Sequence, residues 1–191
     1  MTKFNLPLKL KITFCVQGVV SPVLSNLFLH YVFDVWVSKH YPKIPWCRYS
    51  DDGVLHCHTE VEAQEIKTQL EKRFRECQLE LHPEKTKIIY CKDGKRRKKY
   101  PNTQFKFLGY DFRGRRAKNS KTTNIFLGFA PAVAKEAAKS MRAKVRQLRL
   151  RLRVDLSLGE IAQWYNPILR GWIEYYGRYY PFSAVSSLEA L

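Results

Sequence analysis

An α+β fold is predicted, with helices packed on one face of a small antiparallel sheet and a helical region after it. Three observations predict it. Short apolar runs flank a turn-forming segment, Tyr49-Ser50-Asp51-Asp52; the stretches before and after that hairpin repeat apolar residues at helical spacing; and so does the chain beyond Pro131. At 191 residues, the chain can bury one good core with a helical appendage.

Residues 21 to about 40 read as the first helix. Ser21 offers a cap, Pro22 suits the first turn, and Leu24, Leu27, Phe28, Tyr31 and Val35 recur at helical spacing. Residues 44–47 and 53–57 then form two strands around the turn, because Asp and Gly favour turns and their flanks favour extended chain. Thr59 followed by Glu62 is a capping box, and the helix it opens runs to about Gln78. Val61, Ile66, Leu70, Phe74 and Cys77 make its apolar face. Glu60, Glu65, Glu71 and Glu76 make an acidic one, which directs that side to solvent rather than to nucleic acid. Residues 85–91 and 104–112 read as strands, and residues 125–129 as a further short one.

Pro131 then opens a long helix to about Arg153, with Val133, Ala137, Met141, Val145, Leu148 and Leu152 on its apolar stripe. A second stripe of the same period, Lys135, Lys139, Arg142, Arg146, Arg149 and Arg153, is cationic, and Glu136 is the one acid in this segment. A helix with one buried and one cationic face can lie along a phosphate backbone. Residues 156–181 read as two short helices. Ser157 and Glu160 form a capping box on the first, and Pro167 marks the break. Trp164, Trp172, Tyr175, Tyr176, Tyr179 and Tyr180 have faces on which bases can stack, but their helical spacing beside Ile161, Ile168 and Leu169 assigns most of them to a core.

Lys and Arg outnumber Asp and Glu by 34 to 17, a net charge of +17 that points to a polyanionic partner, with nucleic acid the common one. No apolar run reaches transmembrane length, and residues 1–16 lack a signal-peptide cleavage site. The odd number of cysteines (Cys15, Cys47, Cys57, Cys77 and Cys91) and the absence of any Cys-x-x-Cys pair argue against disulfides and for a reducing cytoplasm. His56-Cys57-His58 carries no metal site by this reasoning, since strand alternation puts Cys57 opposite both histidines. The run that holds Lys95, Arg96, Arg97, Lys98 and Lys99 reads either as a solvated loop or as a nucleic-acid contact, and residues 113–121 as a second basic loop.

Asp51 and Asp52 carry the chemistry. Adjacent carboxylates repel, so a partly buried pair needs a cation between them. A hard divalent ion such as Mg²⁺, with oxygen ligands and room for a substrate phosphate, fits best.

Tyr49-Ser50-Asp51-Asp52 resembles the Tyr-x-Asp-Asp box of reverse transcriptases, and other segments follow that family's order. Gln17-Gly18-Val19-Val20-Ser21-Pro22-Val23-Leu24-Ser25-Asn26 precedes it. Leu81-His82-Pro83-Glu84-Lys85-Thr86-Lys87 and Phe107-Leu108-Gly109-Tyr110 follow it. Trp164-Tyr165-Asn166-Pro167-Ile168-Leu169-Arg170-Gly171-Trp172-Ile173-Glu174-Tyr175-Tyr176-Gly177 looks like the maturase-specific thumb segment of group II intron-encoded proteins. The resemblance implies a partial polymerase palm over residues 17–112, a basic connector over 113–130 and a helical thumb, the maturase-specific domain, over 131–191. Residues 1–16 remain an unmatched leader.

The family's chemistry uses two Mg²⁺ ions held by three carboxylates, two in the turn and one on an earlier strand. The resemblance assigns Asp51 and Asp52 to catalysis and metal binding, and Gln17, Gly18 and Tyr49 to the nucleotide. Nucleic acid falls to Lys85, to the basic run at 95–99 and to the Lys135–Arg153 stripe. Ser50 replaces the alanine usual in group II intron proteins. The third carboxylate is missing, since residues 1–33 contain no Asp or Glu and the first acid is Asp34. The family's Pro-Gln-Gly-Gly is reduced to Val16-Gln17-Gly18. An N-terminally truncated copy explains these departures. Such a chain is expected to bind group II intron RNA, with DNA a further partner, and to lack polymerase activity alone. The alternative is a non-enzymatic, splicing-assisting RNA-binding module, or half of a split reverse transcriptase whose other half supplies the fingers and the missing Asp.

Overall fold

The structure, a computed structural model, describes residues 4–11, 20–94, 96, 98–118, 124–149, 152–153 and 155–179. Two compact units divide the chain, residues 1–105 and 106–191. The α+β class is observed. No described helix is long and apolar enough to cross a membrane.

In the first unit an antiparallel sheet runs in the order β2-β3-β1-β4, with β5 also paired to β1. Its strands are β1 (Phe4–Lys11), β2 (Trp46–Tyr49), β3 (Asp52–Cys57), β4 (Glu80–Leu81) and β5 (Ile89–Tyr90). Residues 4–11, assigned from sequence to an unmatched leader, therefore form the central strand. Their alternation explains why. Phe4, Leu6 and Leu8 enter the core with Leu55 and Cys57, while Asn5, Pro7 and Lys9 occupy the other face. Pro7 cannot donate to a neighbouring strand, and the ladder on that side of β1 is interrupted there. β5 pairs at Phe4 and Asn5, β4 at Leu10 and Lys11, and between them the Pro7 carbonyl accepts from the Lys87 N–H.

Helices cover the apolar face. α1 (Ser21–Leu29), a π-helical segment (His30–Val35) and α2 (Trp36–His40) form one continuous helical stretch. It starts without a side-chain cap: Val20 holds the cap position, and Ser21 is the first helical residue. Leu29, Val32, Phe33 and Val37 are the residues it buries. Leu24, Leu27, Phe28, Tyr31 and Val35 are exposed. Both sets recur every three to four residues, so periodicity alone could not choose between them. In α3 (Glu60–Glu76), Thr59 caps as expected, its hydroxyl accepting from the Glu62 N–H at 3.1 Å. Glu62 answers one residue earlier than a capping box would, on the His58 N–H at 2.6 Å. Ala63, Ile66, Leu70 and Phe74 are buried, while Val61, expected on that face, is 78% exposed. Of residues 85–91, only Ile89 and Tyr90 are strand.

The second unit is built on a long hairpin of β7 (Tyr110–Lys118) and β8 (Ile125–Val133), paired from Tyr110↔Val133 to Lys118↔Ile125. β6 (Gln104–Phe107), within which the unit boundary falls, pairs with β7. Residues 104–112 are thus two strands, split by a turn at Leu108 (φ 49°) and Gly109 (φ 77°). Residues 113–118 are strand rather than basic loop; residues 119–121 of that expected loop lie outside the described residues. Pro131 lies in β8, opposite Phe112, and does not open a helix. β8 is an edge strand of this sheet, where a missing N–H costs no ladder bond.

α4 (Lys135–Gln147) begins after Ala134 and buries Ala138 and Met141. α5 (Leu158–Tyr176) is a single helix where two were expected. The Ser157–Glu160 capping box starts it, and Pro167 sits inside it. Pro167 withholds only the N–H that would reach the Gln163 carbonyl, and the helix continues through that loss.

Candidate functional site

β2 and β3 are joined by the shortest kind of hairpin turn, Ser50 and Asp51, between the paired residues Tyr49 and Asp52. Ser50 adopts a left-handed backbone (φ 52°), which costs a non-glycine residue about 1–2 kcal/mol. Arg48 stabilises it. Its Nη1 donates to the Ser50 carbonyl at 2.8 Å and to Asn26 Oδ1 at 3.0 Å, while Nε and Nη2 grip both oxygens of Asp34, each at 2.7 Å. The Arg48 and Asp34 side chains are only 10% and 15% exposed, so this bidentate pair fixes the turn against the helical stretch from a shielded position.

On the opposite face of the sheet, Lys9 of β1 pairs directly with Asp52 of β3. Lys9 Nζ lies 2.8 Å from Asp51 Oδ2 and 3.0 Å from Asp52 Oδ1, bridging both carboxylates. Its main chain is held as well: the Lys9 carbonyl accepts from His82 N–H at 2.8 Å, and its N–H donates to Thr86 Oγ1 at 3.4 Å. The 81–87 segment thus supports the strand beside the turn. Burial disfavours the Lys9 ammonium, but its hydrogen bonds and charge attraction to Asp51 and Asp52 outweigh that and hold its pKa above the ordinary lysine value. Tyr49, paired with Asp52, is 65% exposed on the same face.

A divalent ion does not fit this donor set as it stands. Mg²⁺ needs oxygen ligands at about 2.0–2.1 Å, and an ammonium already fills the wedge between the two carboxylates. Among the described residues, no three His, Cys, Asp or Glu side chains are grouped to hold a metal. Gln17 and Gly18, assigned to the nucleotide from sequence, lie outside the described residues.

The basic candidates divide. On α4, Lys135, Lys139 and Arg146 are exposed and Arg142 is half-buried; the Lys135 charge also acts on the neighbouring Glu136 carboxylate. Arg149 and Arg153 lie beyond the helix end, Arg149 with φ 47°, and Arg153 sits 5.8 Å from the Trp164 ring. The cationic stripe is therefore continuous only to Arg146. Arg96 is folded back, with Nη1 donating to the Cys91 carbonyl at 2.7 Å and Nε 3.4 Å from Asp93. Lys85, Lys98 and Lys99 are exposed, and Lys95 and Arg97 lie outside the described residues.

Between α4 and α5, a cleft of about 400 Å³ is lined by Lys144, Met141, Ile168, Trp172 and Tyr176, among others. Trp164, Tyr175 and Tyr179 are about half exposed, so the aromatic residues of this segment are more accessible than a core assignment implies; Tyr180 lies outside the described residues. Tyr110 gathers several of them, with ring centroids 5.4 Å from Tyr175 and 5.3 Å from Tyr176.

Sequence reasoning missed Lys9 and the Arg48–Asp34–Asn26 grip. The alternation of Phe4, Leu6 and Leu8 with Asn5, Pro7 and Lys9 is the signal that could have exposed the first. The reverse transcriptase (RNA-dependent DNA polymerase) family model matches residues 10–112. The model of the group II intron maturase-specific domain matches residues 138–191. No curated protein matches the chain.

Proposed function

The chain belongs to the reverse transcriptase family and carries a group II intron maturase-specific domain, and from that premise we propose that it binds group II intron RNA through α4 without polymerising DNA itself. The observation that carries this reading is the face of α4. Lys135, Lys139, Arg142 and Arg146 recur once per helical turn, while Ala138 and Met141 anchor the adjacent face. Such a row of charges exchanges condensed counterions for protein contacts along a phosphate backbone. The neighbouring cleft offers Trp172 and Tyr176 beside Lys144, a setting suited to an unstacked base. DNA is a secondary partner under the same electrostatics.

Asp51 and Asp52 occupy the family's catalytic turn, and the ion pair with Lys9 supports the second half of the proposal. A second reading, half of an enzyme assembled from two chains, is favoured by the exposed apolar face of Leu24, Leu27, Phe28 and Tyr31. The free thiols Cys47, Cys57, Cys77 and Cys91 suit a reducing cytoplasm.

RNA binding measured against salt concentration tests the main reading. Neutralising Lys139, Arg142 and Arg146 together reduces the slope of log K against log salt by roughly 2–3 units, at about 0.7–0.9 per lost contact. An unchanged slope in the folded triple variant would show that α4 does not lie on RNA.

A further inference from the structure

The Asp51–Asp52 turn and Lys9 are each fixed from behind. Strand pairing sets Lys9 opposite Asp52, and the His82 N–H and Thr86 hydroxyl hold its main chain. Arg48, gripping Asp34 and Asn26, holds the Ser50 carbonyl and with it the turn. The main chains of both partners are thus held, and the Lys9 stem spans the gap between them. Lys9 is 29% exposed and each carboxylate 37%, so the contact is partly shielded from water. One ammonium, 2.8 and 3.0 Å from two different carboxylates, relieves the repulsion that adjacent Asp51 and Asp52 would otherwise suffer.

We propose that Lys9 is the built-in counter-ion of the Asp51–Asp52 turn, standing where a divalent metal would bridge the same oxygens and closing the turn to that metal. An incoming ion would have to enter the wedge that the ammonium fills, positive charge against positive charge, or else break both ion pairs. The turn keeps its shape without metal because its cation is supplied in cis. This inference does not rest on RNA binding, and its test contains no RNA.

Mn²⁺ serves as the spectroscopic probe for the divalent site, titrated into the full chain and followed by electron paramagnetic resonance. Wild-type chain and the Asp51→Asn/Asp52→Asn double variant take up Mn²⁺ alike, because neither offers an open carboxylate pair. Lys9→Met keeps an apolar stem and removes the charge, and Lys9→Asp adds a third carboxylate. Both tighten Mn²⁺ binding, by on the order of ten-fold for Lys9→Asp, and the gain disappears when Asp51 and Asp52 are also neutralised. Failure of both Lys9 variants to gain affinity would overturn the proposal. Should either variant not fold, the wild-type melting temperature decides: equal values in Mg²⁺ and in chelator support a metal-free turn. A Mg²⁺-dependent rise that vanishes in Asp51→Asn/Asp52→Asn would contradict it.

Discussion

Arg48 directs four hydrogen bonds at three residues, and only a planar guanidinium can make them all at once. Arg48→Lys therefore retains the charge but loses the bidentate hold on Asp34 and the bond to the strained Ser50 carbonyl. It should cost about 2–4 kcal/mol of unfolding free energy, close to Arg48→Ala, because Asp34 is left shielded and poorly paired. Urea titration measures this, and near-complete rescue by lysine would show that charge alone holds the turn. At this scale the sequence was partly legible. Two adjacent aspartates between short strands announced the hairpin, and their repulsion called for a cation, with Mg²⁺ the expectation from sequence. Which cation answered that need depended on strand register, since Lys9 and Asp52 lie far apart in the chain and meet only when β1 pairs with β3. Asp34 likewise stood out as the first acid in the chain, but no local pattern tied it to Arg48.

Elements were legible where one local rule dominated. The Ser157–Glu160 box and the Thr59 cap appear where expected, because capping depends on side chains within a few residues of the helix start. Prolines misled for the opposite reason. Pro131 suits both a helix start and an edge strand, and only its pairing with Phe112 decides between them. Apolar faces on both sides of α1 left its orientation to the sheet it packs on. The turn between β6 and β7 gives a test at this scale. Gly109 has φ 77°, and a Cβ there would come within 2.6 Å of the Tyr176 hydroxyl. Gly109→Ala should destabilise the chain by about 1–3 kcal/mol, most of it backbone strain because the tyrosine end can shift. A urea midpoint unchanged from wild type would show that this turn does not need glycine.

The two units answer to different physics. In residues 1–105, a shielded ionic network sets the turn on a sheet whose central strand is the N-terminal segment. In residues 106–191, a basic helix and a partly exposed aromatic cluster form the surface we propose for RNA. Net charge announced the second without locating it, since 34 basic residues are spread along the whole chain and the structure ties some, such as Arg96, into local pairs. We propose an RNA-binding member of a polymerase family whose Asp51 and Asp52 are bridged by Lys9. Primer extension on an RNA template tests that claim most directly, using purified chain, Mg²⁺ and all four deoxynucleotides, with Asp51→Ala in parallel. No extension above the Asp51→Ala control is the predicted result. Robust DNA synthesis by the wild-type chain that Asp51→Ala abolishes would show that the turn binds catalytic metal after all, and would contradict the account.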